Sequence, residues 1–271
     1  MTDLYAVFGN PIAHSKSPRI HAAFARQTGQ DMAYEARLAP LDAFPEAIHA
    51  FVEEGGRGAN VTVPFKEQAY RLASRRSGRA ELAGAVNTLR FELDGLFGDN
   101  TDGTGLVRDL TVNLETALAG RRILLMGAGG AARGVVQPLL EQLPERLVIA
   151  NRTAEKAMAL THTFSAIAGK SVLAGGGYEG LEGAFDVVIN ATAASLAGEL
   201  PPLPDGLFAE GAVAYDMMYG QDTPFLAFAR ARGVRAEDGL GMLVEQAAEA
   251  FHLWRGVHPD TAAVIRMLRT G

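Results

Sequence analysis

An α/β architecture in two domains follows from three features of the sequence. Short apolar strands alternate with amphipathic helices along most of the chain, an order that builds parallel sheets. The 271 residues exceed the span of one ordinary domain. A hairpin and a helix then interrupt the alternation before a second series of strands and helices begins near residue 121.

The elements can be justified in order. "LYAVFG" reads as a strand, and "SKSPRIHAAFARQTG" as a helix from Ser17 to about Thr28. Ser17 is expected to cap that helix, with Pro18 in its first position and Gly29 just past its end. "AYEARLAP" gives a strand, residues 42–54 a helix, and "GANVTV" a strand that should pair in parallel with the first two. "LRFELDGLFGDN" reads as a hairpin turning at Asp94 and Gly95, followed by a helix over about 103–118. In the second series, "RRILLMG", "RLVIANRT", "DVVINAT" and "AVAYDMM" are short apolar strands suited to a sheet covered on both faces. "GLGMLVEQAAEAFHLWRG" and "PDTAAVIRMLRT" form two amphipathic helices able to pack back on the first domain. The implied division is 1–102 completed by 240–271, with 103–239 as the second domain.

Composition removes several functional classes. A formal charge of -6 gives no general electrostatic reason to bind nucleic acid or an anionic membrane surface. No apolar run reaches the ~18 residues of a membrane span, and the N-terminus lacks the pattern of a targeting segment. Zero cysteines exclude disulfides and thiolate chemistry and fit a cytoplasmic setting. The six histidines show no metal-ligand spacing, so no metal is expected.

"ILLMGAGGAARGVV" places Gly127, Gly129 and Ala132 in a GxGxxA pattern between strand and helix, the context of a Rossmann dinucleotide site. The first glycine permits the turn, the second lets backbone approach a pyrophosphate, and the helix start offers free N–H groups. A tight turn without a ligand, or another nucleotide binder such as a methyltransferase, would use the same pattern. The end of the next strand helps to separate them. Asn151 and Arg152 stand where an NAD site carries an acid, and that acid would repel a ribose 2'-phosphate. Arg152 offers a bidentate fork, Thr153 a hydroxyl, and Lys156 a second cation on the same face, which together favour NADP. A solvated Arg–Lys pair at a helix start is the structural alternative.

The first domain carries polar groups at several strand ends. Ser15 and Ser17 precede a helix, where hydroxyl and backbone donors suit a carboxylate, though capping by Ser17 would explain one of the two. "NVTVPFK" supplies Asn60, Thr62 and Lys66, "GAVNT" supplies Asn87, and "GDNTDGTG" supplies Asp102. Lys66 is unusual because it falls in the first turn of a predicted helix, where the dipole disfavours a cation. Neutral donors with one amine and one carboxylate suit a small polyol acid.

The motifs "SKSP", "NVTVPFK", "GAVNT", "NTDG", "GAGGAAR", "NRT", "DMMYG" and "GLGMLVEQAA", in this order over nearly the whole chain, resemble the shikimate dehydrogenase family. The resemblance implies a substrate domain completed by the C-terminal helices, a Rossmann NADP domain, and a site in the cleft between them. It implies reversible reduction of 3-dehydroshikimate to shikimate, a step of aromatic amino acid biosynthesis. It carries catalysis onto Lys66 and Asp102, and shikimate contacts onto Ser15, Ser17, Thr62, Asn87, Tyr219 and Gln246, with Asn60 adjacent. Gly127, Ala128, Gly129, Gly130, Ala131, Asn151, Arg152, Thr153, Lys156, Met217 and Gly239 match cofactor positions. One departure is Ala193, where the family commonly has a hydroxyl residue. Within the superfamily a quinate or dual-specificity dehydrogenase is the nearest rival. A non-catalytic NADP or metabolite sensor is another, against which the intact Lys66 and Asp102 argue. Monomer and homodimer both remain open.

Overall fold

The computed structural model describes residues 2–192 and 198–270, so Ala193 lies outside the described residues. The chain divides into two compact units, residues 1–105 with 243–271, and residues 106–242.

The first unit begins with β1 (Asp3–Gly9), α1 (Ser17–Thr28), β2 (Met32–Leu38), α2 (Phe44–Glu53), β3 (Gly56–Val61) and α3 (Lys66–Leu72). It continues with β4 (Arg75–Arg76), α4 (Gly78–Ala83), β5 (Thr88–Glu92), β6 (Gly95–Asp99) and the start of α5 (Asp102–Arg108). The sheet order is β2-β1-β3-β5-β6-β4. β1 pairs in parallel with β2 and β3, and β5 forms a hairpin with β6, both as expected, whereas β5 also runs antiparallel to β3. That reversal matters for the site. It sets Asn60 opposite Thr88 and Thr88 opposite Asp99, so three strands bring polar side chains to one end of the sheet.

Three details of the expected elements change. Ser17 does not cap α1. It is the helix's first residue, and the hydroxyl of Ser15 accepts from the Ser17 backbone N–H at 3.3 Å. The hairpin turns at Leu93 and Asp94, because Glu92 already pairs with Gly95, which opens β6 at φ 136°. The helix expected over 103–118 starts at Asp102, passes into a π-turn over Asp109–Asn113 and ends there. Gly29 does close α1 in the left-handed conformation at φ 64°.

The first core packs Phe8, Phe44, Ile48, Phe51, Phe65 and Leu89 out of solvent. Phe65, the residue before α3, stacks on Phe44 with centroids 4.8 Å apart. Burying a phenylalanine stabilises by ~1.5–3 kcal/mol, and here it also pins the helix start that carries Lys66.

The second unit contains β7 (Arg122–Met126), α6 (Gly130–Glu141), β8 (Arg146–Ala150), α7 (Ala154–Phe164) and β9 (Val172–Gly176). β10 (Phe185–Asn190), β11 (Phe208–Asp216), α8 (Pro224–Arg230) and β12 (Arg235–Asp238) follow, and then α9 (Leu240–Arg255) begins. All pairings are parallel, in the order β12-β11-β10-β7-β8-β9. This is the doubly wound Rossmann order, with its switch point between β7 and β10. The central strands β7, β8 and β10 are buried on both faces, as their unbroken apolar runs predict.

The rest of α9 and α10 (Thr261–Thr270) belong to the first unit. Trp254 on α9 donates to the Leu89 carbonyl at 3.0 Å, and Gln27 on α1 donates to the Asp260 carbonyl at 3.2 Å. No helix among the described residues is long and apolar enough to cross a membrane.

Candidate active site

In the first unit, the Lys66 ammonium donates to Asp102 Oδ2 at 2.5 Å, which resolves the odd position of this lysine. Lys66 opens α3 and Asp102 opens α5. The carboxylate suits its own helix dipole and offsets the mismatch of the cation in the other. The Asp102 side chain is 8% exposed and that of Lys66 is 23% exposed, so the pair is sheltered while the amine still reaches solvent or a ligand.

Asn87 holds the other carboxylate oxygen, its Nδ2 donating to Asp102 Oδ1 at 2.8 Å and to Thr101 Oγ1 at 3.0 Å. The Asn87 amide has only one workable orientation. Its Oδ1 accepts from the Thr101 N–H at 2.9 Å and from the Thr88 hydroxyl at 2.9 Å, which directs the NH₂ toward Asp102. Asn60 is 6% exposed and donates to the Asn87 carbonyl at 3.2 Å and to Thr88 Oγ1 at 3.1 Å. Gln246 comes from α9, its Oε1 3.4 Å from both Asn87 Nδ2 and Thr101 Oγ1. Five of the residues selected from the sequence, Lys66, Asp102, Asn87, Asn60 and Gln246, therefore form one hydrogen-bonded cluster. Ser15 and Ser17 sit together at the start of α1. Thr62 follows β3, and its backbone N–H donates to the Phe8 carbonyl at 2.9 Å.

Thr88, Thr101 and Asn100 belong to the same network and escaped the sequence reading. Asn100 accepts from the Asp102 N–H at 3.2 Å and donates to the Ala85 carbonyl at 3.0 Å. Their signal was adjacency, since each directly neighbours Asn87 or lies within two residues of Asp102.

In the second unit, Gly127 adopts φ 107°, and an added Cβ there would lie 3.0 Å from the Ala191 carbonyl oxygen, so both conformation and space require glycine. Gly129 and Gly130 differ, because an added Cβ at either meets nothing within 4 Å. The start of α6 thus presents open backbone, and no side chain caps it. Ala132 is fully buried, the small contact that lets α6 approach the sheet. Ala128 is buried, whereas Ala131 is exposed. At the end of β8, Asn151 donates to the Thr153 carbonyl at 2.9 Å and shapes the turn into α7. Arg152 and Lys156 project from that turn as exposed cations without an ion-pair partner among the described residues. This donor set fits a dinucleotide with a 2'-phosphate: bare N–H groups for the pyrophosphate, and a guanidinium and an amine for the extra anion.

Met217 and Gly239 lie against each other, since a Cβ on Gly239 would fall 2.4 Å from the Met217 carbonyl oxygen. The loop holding them is organised by Asp216, another residue missed from the sequence. Its carboxylate accepts from Asn190 at 3.0 Å, the Met218 N–H at 2.9 Å and the Thr223 hydroxyl at 2.7 Å. Tyr219, on the same loop, is half-buried, and burial pushes its phenol above the ordinary value.

Comparison with known proteins agrees with this geometry. Residues 7–89 match the model of the shikimate dehydrogenase substrate binding domain, 110–197 that of shikimate / quinate 5-dehydrogenase, and 239–269 that of the shikimate 5'-dehydrogenase C-terminal domain. A shikimate dehydrogenase (NADP(+)) of Dechloromonas aromatica is 64% identical over 99% of this chain and 98% of its own. The chain belongs to the shikimate dehydrogenase family. Among solved structures of similar shape, an Ael1 enzyme from Pseudomonas putida superposes with a TM-score of 0.93 at 50% identity, covering 98% of each chain. A shikimate 5-dehydrogenase from Thermus thermophilus, in complex with NADP(H) and shikimate, gives a TM-score of 0.86 at 35% identity, covering 99% of each. The shikimate dehydrogenase family thus accounts for both units, the mixed sheet of the first and the Rossmann sheet of the second.

Proposed function

We propose that this chain catalyses the reversible NADP-dependent reduction of 3-dehydroshikimate to shikimate, a step of aromatic amino acid biosynthesis. The observation that carries the reading is the Lys66–Asp102 contact at 2.5 Å, with Asn87 fixed on the second carboxylate oxygen. NADPH, when bound, supplies the hydride to the ketone carbon. The chain's own residues do the rest. Lys66 hydrogen-bonds the ketone oxygen, polarises the carbonyl and gives up a proton as alkoxide character develops. In the oxidative direction the same amine takes the proton from the alcohol. Asp102 keeps the amine in place and accepts from a substrate hydroxyl, while Asn87 keeps Asp102 from turning away.

Ser15 and Ser17 serve the substrate carboxylate with hydroxyl and backbone donors at the start of α1. Asn60, Thr62 and Gln246 supply neutral groups for the ring hydroxyls. Gly127 to Ala131 hold the pyrophosphate, and Arg152, Thr153 and Lys156 read the 2'-phosphate. We place the enzyme in the cytoplasm, which a chain without cysteine fits. Monomer and homodimer are both compatible with a site assigned to residues of one chain.

The test is the change in NADPH absorbance with shikimate or quinate crossed against NADP or NAD. Shikimate with NADP should turn over fastest. No turnover with any pair, or a preference for quinate or NAD, would defeat the reading.

A further inference from the structure

An aromatic pair stands beside the polar network, and the chemistry proposed above gives it no role. His21 lies on α1 four residues after Ser17, on the same face of the helix. It is fully buried, and neither ring nitrogen has a hydrogen-bond partner among the described residues. A buried polar group without partners calls for an explanation. Its ring stacks on Tyr34 with centroids 4.0 Å apart and planes 11° apart, and Trp254 closes another side at 5.4 Å. Burial holds the imidazole at a pKa of about 3, against the opposing pull of the nearby Asn60, so the ring is a neutral flat surface at working pH.

What that surface supports is the Tyr34 phenol. Its hydroxyl donates to Asn60 Oδ1 at 2.7 Å. Asn60 Nδ2 then donates to Thr88 Oγ1 at 3.1 Å, and Thr88 donates to Asn87 Oδ1 at 2.9 Å. Asn87 completes the series by donating to Asp102 at 2.8 Å. From Tyr34 to Asp102 every bond is donated in one direction, so the orientation of each group constrains the next. Burial also pushes the Tyr34 phenol well above its ordinary value, with hydrogen bonding to Ser17 opposing, and it stays a donor.

We propose that Tyr34, braced by His21, is a positioning residue for the reaction: its hydroxyl fixes the Asn60 amide and, through Thr88 and Asn87, the donor that holds Asp102. The proposal rests on the roles given to Lys66 and Asp102 above. Without the hydroxyl, only the 3.2 Å bond from Nδ2 to the Asn87 carbonyl still orients the Asn60 amide. A flipped amide would turn Oδ1 toward Thr88 and compete with Asn87 Oδ1 for the threonine proton.

Steady-state kinetics of Tyr34→Phe, His21→Phe and His21→Ala, with melting temperatures, test the assignment. Tyr34→Phe keeps the stacked ring and should lose roughly tenfold in kcat with shikimate, the worth of one buried hydrogen bond, at unchanged KM for NADP. In an Asn60→Ala background the same substitution should cost nothing further. His21→Phe, which retains a ring, should hold wild-type kcat, and His21→Ala should fall as Tyr34→Phe does. Full activity of Tyr34→Phe, its failure to fold, losses that add to those of Asn60→Ala, or impairment of His21→Phe would each overturn the proposal. Absence of wild-type turnover would instead sink the parent reading.

Discussion

The polar side chains at the candidate site of the first unit bond mostly to one another, whereas the corresponding surface of the second unit is open backbone and exposed cations. Asn87 alone engages Asp102, Thr101 and Thr88. Gly129 and Gly130 engage no side chain, and Arg152 and Lys156 stand in solvent. The difference follows from the tasks. A small polyol must be oriented to within fractions of an ångström for proton transfer, which takes preorganised side chains. A pyrophosphate needs only a cradle of N–H groups and positive charge. Substitutions in the Lys66–Asp102 cluster should therefore act on turnover, and those in the second unit on NADP affinity.

The largest effect is expected at Lys66. Lys66→Met removes the proposed proton donor at similar length and should lower kcat by roughly 10²–10⁴-fold while leaving NADP affinity unchanged, as read by stopped-flow and titration. A comparable loss of NADP affinity would erase the contrast between the units. Arg152→Ala comes next. It should weaken NADP by about 2 kcal/mol, or roughly 30-fold, and NAD hardly at all. Calorimetric titration with equal losses for both cofactors would remove Arg152 as the phosphate reader.

A pH effect is expected from His21. Its folded pKa of about 3 lies below the ordinary 6.5, so between those values the unfolded chain binds a proton that the folded chain does not. Stability should fall as pH drops through this window, by at most about 1.4 kcal/mol per pH unit from this residue. His21→Phe should flatten that slope in denaturant titrations. The smallest effect separates the two serines. Ser15→Ala and Ser17→Ala should both raise KM for shikimate, and Ser15→Ala should also lower stability by up to about 1 kcal/mol, because its hydroxyl accepts the Ser17 N–H at the start of α1.

Much of this was legible in the sequence where one local rule decided the outcome. The existence of β7, β8, β10 and β11 follows from their apolar runs, and Gly127 from the φ that its turn requires. Lys66 stood out because it violated a helix preference, and its partner, 36 residues away, is what the violation required. The serine at the start of α1 was misread because two hydroxyls one residue apart offer nearly the same signal, and only the backbone shows which accepts. Tyr34 and Asp216 were not legible, and Thr88 only through its adjacency to Asn87. A hydroxyl or acid in an apolar strand acquires its role from register, here Asn60 opposite Thr88, which no local spacing encodes. The antiparallel pairing of β5 with β3 escaped for the same reason, although the β5–β6 hairpin was legible.

The central claim is that Lys66 and Asp102 act as one unit. Its most direct test is a double-mutant cycle on kcat with Lys66→Met, Asp102→Asn and the combined variant, each confirmed as folded by circular dichroism. The account predicts strong non-additivity, with the double variant matching the slower single one. Losses that multiply, or a Lys66→Met enzyme with near-normal turnover, would contradict it and send the proton to another group.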